Sequence, residues 1–380
     1  MAKVGICFGG YCPMHQGHLD LIMRAKKEND ICFVIVCGFD GEERAESIGL
    51  PLRRRVSLVR RLFKGDEQIK VLEINDTELG IDESMSSSNW VIWVAKVWEL
   101  ISKYFGLPTL APVNPNAYTW YVAEPFYKES IEAIMNGFKH GTCDIVNPQY
   151  SKVELMNRIN PISGTEIRES PLKHWNKIAW TFRPYFSTNI LITGTASEGK
   201  STLTRDIATY FGIPYSEEYG RTYMAEKCKT DIDLTINDFR EFLIGQLRDT
   251  KQKIESPGNN GIVISDTDNI VTLMYAQAYV EDENIDLTWD DYKVLESLAK
   301  TIQRGITWDK IFLLPPRNAF VDDGTRYMAQ STLEERNKNY TKLVKLIKKF
   351  GWWDKVEVLD GTFYSNFNRI KDYINDKLSF

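Results

Sequence analysis

The 380-residue sequence has few histidines, and its six cysteines lack the spacing of a metal or disulfide framework. Cys7, Cys12, Cys32, Cys37, Cys143 and Cys228 form no C-x-x-C pair, and several fall inside apolar, strand-like runs. They read as reduced core residues, which excludes a zinc knuckle and a disulfide scaffold. No apolar run approaches the ~20 residues that cross a bilayer, so a membrane protein is not expected. Met1-Ala2-Lys3 runs straight into a strand pattern, without the longer apolar stretch and cleavage site of a signal peptide. A cytoplasmic protein is the expectation. The net charge of −5 argues against a dominant nucleic-acid surface, so DNA binding is not expected. Glycine and proline, at 24 and 14 residues, are too few for a fibrous or low-complexity chain. A hydrophobic share of 43% excludes disorder. A chain of this length buries its own cores without staples.

What is present is an alternation of strand and helix signals. Val4 to Phe8 is a buried apolar run closed by Gly9-Gly10, and Leu19, Ile22, Met23 and Lys26 follow at helical spacing. Ile31 to Cys37, Ile69 to Ile74 and Ala117 to Val122 read as further strands. Leu52 to Phe63 and Asn89 to Phe105 read as a basic and an aromatic-rich helix. The stretch between Pro171 and Pro184 looks like a connection, after which the pattern restarts with Asn189 to Thr193. Gly212 to Tyr215, Gly261 to Ser265, Lys310 to Leu314 and Val356 to Leu359 are strand candidates there. Alternation of this kind predicts an α/β fold with two doubly wound parallel-sheet domains, a Rossmann-like one over 1–180 and a second over 185–380.

Two of the four histidines lie in one turn, Gly9-Gly10-Tyr11-Cys12-Pro13-Met14-His15-Gln16-Gly17-His18, between the first strand and a helix. The glycines let a ligand approach the backbone. His15 and His18 are three apart, so on a first helical turn they share a face, where free N–H groups favour phosphate. A bare H-x-x-H can equally be half a metal site or two surface residues; the strand, glycines and Pro13 around it point to phosphate. The turn resembles the phosphate-binding signature of the nucleotidyltransferase superfamily. That resemblance implies that Gly9, Tyr11, His15 and His18 bind a nucleoside triphosphate whose α-phosphorus is attacked. Ile162-Ser163-Gly164-Thr165-Glu166-Ile167-Arg168 resembles the superfamily's I-S-x-T-x-I-R segment. It implies ATP contacts from Ser163, Thr165 and Arg168, with Arg168 in the first helical turn pairing with the polyphosphate. Ser163 and Glu166 also have the spacing of a capping box.

Gly194-Thr195-Ala196-Ser197-Glu198-Gly199-Lys200-Ser201 matches the phosphate-binding loop G-x-x-x-x-G-K-[ST], between a strand and a helix opening at Thr202. Its N–H groups cradle phosphate, Lys200 reaches the β- and γ-phosphates, and Ser201 reaches Mg²⁺. Asp266-Thr267-Asp268 follows a strand, where open α/β sheets bind ligands. Asp266 is the second expected metal ligand, and Asp268 is either a substrate contact or a helix cap. Glu218, in Glu217-Glu218-Tyr219-Gly220-Arg221, is a candidate base for an acceptor hydroxyl or part of a solvated acidic loop. Asp322-Asp323-Gly324-Thr325-Arg326 reads as a lid that brings Arg326 to the phosphates. Arg317 and Arg336 are weaker candidates of that kind.

A histidine-motif nucleotidyltransferase followed by a P-loop kinase resembles the NadR-type bifunctional proteins over nearly the whole chain. The resemblance implies a nicotinamide-mononucleotide adenylyltransferase joined to a ribosylnicotinamide kinase, with ATP as substrate at both sites and Mg²⁺ as cofactor. The implied partners are nicotinamide riboside, nicotinamide mononucleotide and NAD. Functional coupling to a nicotinamide riboside transporter and homo-oligomerisation are further expectations. Trp90, in Asn89-Trp90-Val91-Ile92-Trp93, is implied to stack on the pyridinium ring; a core tryptophan is the alternative. Tyr219, Arg221 and Asp268 complete the expected substrate contacts. Two departures stand out. The first strand starts near Lys3, which leaves no room for the family's helix-turn-helix, so no repressor role is expected. Glu217 stands where some relatives carry tryptophan, so stacking falls to Tyr219, Phe320 or Trp289. The alternatives are a sulfate adenylyltransferase with adenylylsulfate kinase, whose Q-x-R-N segment is missing, and a non-catalytic NAD/ATP sensor.

Overall fold

A computed structural model describes every residue except 1, 82–86, 107–116, 140–150, 158–159, 283–285, 322–331 and 380. The chain divides into two compact units, Met1–Phe186 and Ser187–Phe380.

The first unit runs β1 (Lys3–Gly9), α1 (Gln16–Glu28), β2 (Ile31–Gly38), α2 (Glu43–Glu46), α3 (Leu52–Leu62), β3 (Ile69–Asn75), α4 (Ser87–Tyr104), β4 (Ala117–Val122), α5 (Pro125–Lys139), β5 (Ser151–Leu155) and α6 (Gly164–Glu169). Among the described residues the five strands form one parallel sheet in the order β3-β2-β1-β4-β5. Successive side chains of a strand face opposite ways. Cys7, Val34 and Val36 therefore pack on Ile22, Val56 and Val59, while Ile6, Phe33 and Ile35 pack on Trp93, Val94 and Val97. Both faces are covered, which is why β1 and β2 are continuous apolar runs. The strand order reverses between β1 and β4, which puts the crevice at the carboxyl ends of those strands.

The second unit runs β6 (Thr188–Gly194), α7 (Lys200–Phe211), β7 (Tyr215–Ser216), α8 (Tyr219–Lys227), α9 (Ile236–Ile254), β8 (Ile262–Asp266), α10 (Asn269–Asp282), α11 (Trp289–Gln303), β9 (Lys310–Leu314), α12 (Leu333–Lys349), β10 (Val356–Val358) and α13 (Phe363–Leu378). Its five described strands are parallel in the order β10-β9-β6-β8-β7. β6 is central, and the loop after it opens at the carboxyl edge. The core joins Phe239, Leu243, Met274, Leu295 and Leu343 from α9 to α12.

Several details depart from the sequence reading. The stretch between Pro171 and Pro184 is no free connection, because Trp175, Ile178, Ala179 and Phe182 are buried in the first unit's core. Met23 faces solvent, and Leu21, Ile22 and Ala25 form the buried stripe of α1. Cys228 is exposed at the C-terminal cap of α8, so it is not a core residue. Its φ of 51° lies in the left-handed region that ends helices.

Candidate active sites

In the first unit the turn after β1 leads into α1. His15 is the N-cap of α1, with extended backbone (φ −141°, ψ 173°), and His18 is the third helical residue. As N-cap and N3 residues they meet on one side of the helix start: their rings stack with centroids 3.7 Å apart, and His18 Nδ1 accepts the His15 N–H at 3.4 Å. Tyr11 is buried and sets its ring edge-on to His18 at 4.9 Å. Ala179 N–H donates to Met14 O at 3.0 Å, so the chain after α6 braces the motif from behind.

The second motif closes on the first. Ser163 caps α6 reciprocally: Glu166 N–H donates to Ser163 Oγ at 3.1 Å, and Ser163 N–H to Glu166 Oε2 at 2.7 Å. A Cβ on Gly164 would sit 2.9 Å from Cys12 O, so only glycine permits this approach. Arg168 occupies the last turn of α6, not the first. From there Nη1 donates to Cys12 O at 2.5 Å and Nη2 to Thr165 Oγ1 at 2.9 Å. The guanidinium thus bridges the two motifs.

Beside Gly9 and Gly10 lies a cavity of about 490 Å³, lined by Phe8, Trp90, Trp93, Tyr127, Asp76 and the Glu42–Arg44 segment among others. Trp90 is only 2% exposed. It belongs to the core and also lines the cavity. Sequence reasoning missed the frame of this cavity. Arg55, fully buried, donates to Gly10 O, to Cys37 O at 3.2 Å and to Glu42 Oε2 at 2.6 Å. It ties the ends of β1 and β2 to the following loop. In the sequence it is one of three adjacent arginines, Arg53-Arg54-Arg55, with nothing to mark it. Asp76 follows β3, and burial together with nearby Glu42 pushes its carboxyl up to about 7.

In the second unit, a Cβ on Gly194 would lie 2.5 Å from Leu314 O. Gly199 has φ 79° and Ser197 φ 62°, so the loop turns its N–H groups inward. Thr195 and Ala196 are buried within it, Thr202 lies exposed on α7, and Lys200 Nζ donates to Thr195 O at 2.7 Å. Asp266 ends β8 and is 2% exposed. Burial raises its pKa, nearby Glu218 raises it further, and Lys200 and a hydrogen bond with Ser201 oppose. Ser201, Asp266, Glu218 and Arg221 share a cavity of about 80 Å³. A hydroxyl and a carboxylate hydrogen-bonded in one cavity are hard oxygen donors, the set that suits Mg²⁺ when phosphates complete its shell. Among the described residues no cluster of three or more His, Cys, Asp or Glu side chains that could hold a metal ion exists.

An adjoining pocket runs from Thr195 and Thr267 to Phe239, Phe242, Tyr275 and Phe320. Glu218 and Arg221 line both cavities, and their side chains approach at 3.4 Å. Asp231 is buried in this pocket and accepts from Tyr279 OH at 2.8 Å. Of the residues expected to stack on substrate, Phe320 lines this pocket, whereas Asp231, Phe239, Phe242 and Tyr275 were not singled out from sequence. Phe239 and Phe242 come from α9 and Tyr275 from α10, far apart in the chain.

Other expected residues go elsewhere. Tyr219 packs over Gly245, where a Cβ would meet its ring at 2.0 Å, so its ring is not part of the pocket wall. Asp268 accepts from Ile270 N–H at 3.3 Å and borders a different cavity, with Trp308. Trp289 is half-exposed and edge-on to Tyr292. Arg317 donates to Asp360 O, and Arg336 pairs with Glu198 while lining the aromatic pocket. Arg326 and the Asp322–Thr325 segment lie outside the described residues.

Fold and sites define a nucleotidyltransferase-like domain followed by a P-loop kinase-like domain. The cytidylyltransferase-like family matches residues 6–170 and the AAA domain family matches residues 189–363. A crystal structure of NadR protein in complex with NR is 30% identical with a TM-score of 0.82, over 99% of this chain and 96% of that chain. A NadR structure in complex with NAD and AMP-PNP is 29% identical, also at 0.82, over 100% and 97%. The trifunctional NAD biosynthesis/regulator protein NadR of Escherichia coli is 24% identical over 99% of this chain and 83% of its own length. Its Salmonella typhimurium counterpart is 25% identical over 91% and 77%. The chain belongs to the NadR family, NAD biosynthesis proteins with an adenylyltransferase and a kinase domain. Among the described residues, no helix is long and apolar enough to cross a membrane.

Proposed function

We propose that the chain makes NAD from nicotinamide riboside in two steps. The second unit transfers the γ-phosphoryl group of ATP to the 5′-hydroxyl of the riboside. The first unit then joins the resulting mononucleotide to the α-phosphorus of a second ATP, releasing pyrophosphate. The observation that carries this reading is the pairing of two Gly-rich turns of phosphate-binding type, each at the carboxyl edge of its own parallel sheet and each next to an aromatic-lined cavity.

In the kinase, the N–H groups from Gly194 to Ser201 and the Lys200 ammonium hold the phosphates. Glu218 borders both the phosphate side and the aromatic pocket. It is the carboxylate placed to orient the acceptor hydroxyl and take its proton, while Arg221 neutralises it at rest. Asp266 and Ser201 would hold Mg²⁺. When bound, that ion neutralises charge on the transferring phosphate. In the adenylyltransferase, His15, His18 and Arg168 converge on the turn after β1, where positioning and charge stabilisation suffice. Trp90, in the wall of the neighbouring cavity, would stack on the pyridinium ring. The alternative sulfate-activating pair draws no support from the family relationship.

Product analysis by mass spectrometry, with nicotinamide riboside, ATP and Mg²⁺ as the only inputs, tests the reading. NAD is the expected product. Nicotinamide mononucleotide alone would remove the proposed substrate of the first unit, and no product would overturn both steps.

A further inference from the structure

Three hydroxyl groups lie buried behind the site of the second unit, where apolar side chains would fill the same space at lower cost. Ser216 ends β7, and Ser265 lies beside it in β8. Thr250 reaches them from α9. None of the three is more than 1% exposed. Ser216 Oγ is 3.2 Å from Thr250 Oγ1 and 2.6 Å from Ser265 Oγ, and Ser265 Oγ donates to Thr267 O at 3.0 Å. A carbonyl only accepts, and each hydroxyl has one proton to give. The direction of the chain follows: Thr250 donates to Ser216, Ser216 to Ser265, and Ser265 to Thr267 O. Donors aligned in this way polarise and strengthen one another.

The chain ends on a strained residue. Thr267 has a φ of 73°. This is left-handed backbone, which a β-branched side chain adopts only where its surroundings impose it. Thr267 N–H donates to Ile192 O at 2.9 Å. Both polar groups of its backbone are therefore pinned, one by β6 and the other by the hydroxyl chain. The consequences reach the site. Asp266, the last residue of β8, stays in register beside Ile192, and its carboxyl meets the Ser201 hydroxyl. Thr267 Oγ1 donates to Asp266 Oδ1 at 3.3 Å, and Thr267 also lines the aromatic pocket. Asp268 faces the separate cavity that holds Trp308. The left-handed residue thus parts the two carboxyl groups and braces the one that meets Ser201.

We propose that Thr267 is a positioning residue for phosphoryl transfer, and that the Thr250–Ser216–Ser265 hydroxyl chain holds it in left-handed backbone so that Asp266 stays aimed at Ser201. This inference rests on the reading of the second unit as a riboside kinase. It links α9, outside the phosphate loop, to the carboxylate of the site.

The test is a double-mutant cycle in the full chain, with the parent, Ser265→Ala, Thr267→Gly and the double variant. Glycine adopts positive φ without strain, so residue 267 then no longer depends on the chain. In the parent background Ser265→Ala should lower kcat for phosphorylation by about 10- to 100-fold, with the KM for the riboside little changed. In the Thr267→Gly background the same substitution should cost at least about 5-fold less. Hydrogen exchange of the residue 267 N–H, in protein free of nucleotide and metal, gives a readout apart from turnover. Ser265→Ala should exchange faster than the parent, and the double variant no faster than Thr267→Gly. Equal losses of kcat in the two backgrounds, or exchange at the parent's rate in Ser265→Ala, would make the hydroxyls merely structural and overturn the proposal. Should Ser265→Ala fail to fold, Thr250→Val at the far end of the chain decides: a smaller loss of kcat with faster exchange supports the chain, and parent values of both sink it. A parent that phosphorylates no riboside fails differently. It removes the kinase reading itself, and the positioning role falls with it.

Discussion

Glu198 and Arg336 form an ion pair at 2.7 Å with both side chains almost wholly removed from solvent. Glu198 lies inside the Gly194–Ser201 loop, and its carboxylate is taken up by protein partners. It also accepts from the N–H groups of Arg317 at 3.0 Å and Asn318 at 3.2 Å. Arg336 in turn donates to Asn318 O at 2.7 Å, and Ser197 exchanges hydrogen bonds with Val321 at 3.1 and 3.3 Å. The Gly194–Ser201 loop is thus held from behind by α12 and by the segment leading to residue 321.

Removing one member of a buried pair strands the other charge, at a cost of about 3–5 kcal/mol. Glu198→Ala should destabilise the second unit by that order in denaturant unfolding. In protein that still folds, it should raise the KM for ATP in phosphorylation and leave adenylylation of supplied mononucleotide unchanged.

Arg55 makes the corresponding prediction for the first unit. It is fully buried and holds Gly10, Cys37 and Glu42 together. Arg55→Ala leaves Glu42 buried without its main partner and should cost about 3–5 kcal/mol. Calorimetry should show the loss in the first unit's transition, with adenylylation reduced and phosphorylation kept.

Glu218→Gln should lower kcat for phosphorylation by about 10²–10⁴-fold, the usual contribution of a positioned base, with the KM for ATP little changed. Steady-state kinetics with the riboside as the varied acceptor measures both. A variant with unaltered kcat would move the role to Asp266.

Asp268 supplies a pH test of stability. Burial pushes its carboxyl from 3.8 up to about 7. Between those values the folded protein keeps a proton that the unfolded chain releases, so this group costs stability as pH rises from about 4 to about 7, and no further above that. Asp268→Asn cannot ionise. Relative to the parent it should gain stability as pH rises, by roughly 1–4 kcal/mol at about pH 8 and much less at about pH 5. Urea unfolding at the two pH values is the check.

The two sheets were legible because β1, β2, β4 and β6 are buried on both faces and read as continuous apolar runs closed by glycine or a turn. β5, Ser-Lys-Val-Glu-Leu at the sheet edge, carries two charged residues and gave no such signal. α5 was missed as well, since Pro125-Phe126-Tyr127 reads as a break until a proline at the first helical position is considered. At the sites, the Gly-rich turns between strand and helix are local and were read directly. The direction of single side chains was not. His15 became a cap, Tyr219 was drawn over Gly245, and Asp268 turned to Ile270 N–H. The aromatic pocket around Asp231 and the Arg55–Glu42 frame join residues far apart in the chain, and neither leaves a pattern at fixed spacing.

The central claim is that two independent active sites share one chain. The most direct measurement assays both reactions separately in Lys200→Ala and His18→Ala. Lys200→Ala should abolish phosphorylation of nicotinamide riboside and still convert supplied nicotinamide mononucleotide to NAD. His18→Ala should do the reverse, accumulating nicotinamide mononucleotide. Loss of both reactions in either folded variant would contradict the two-site account.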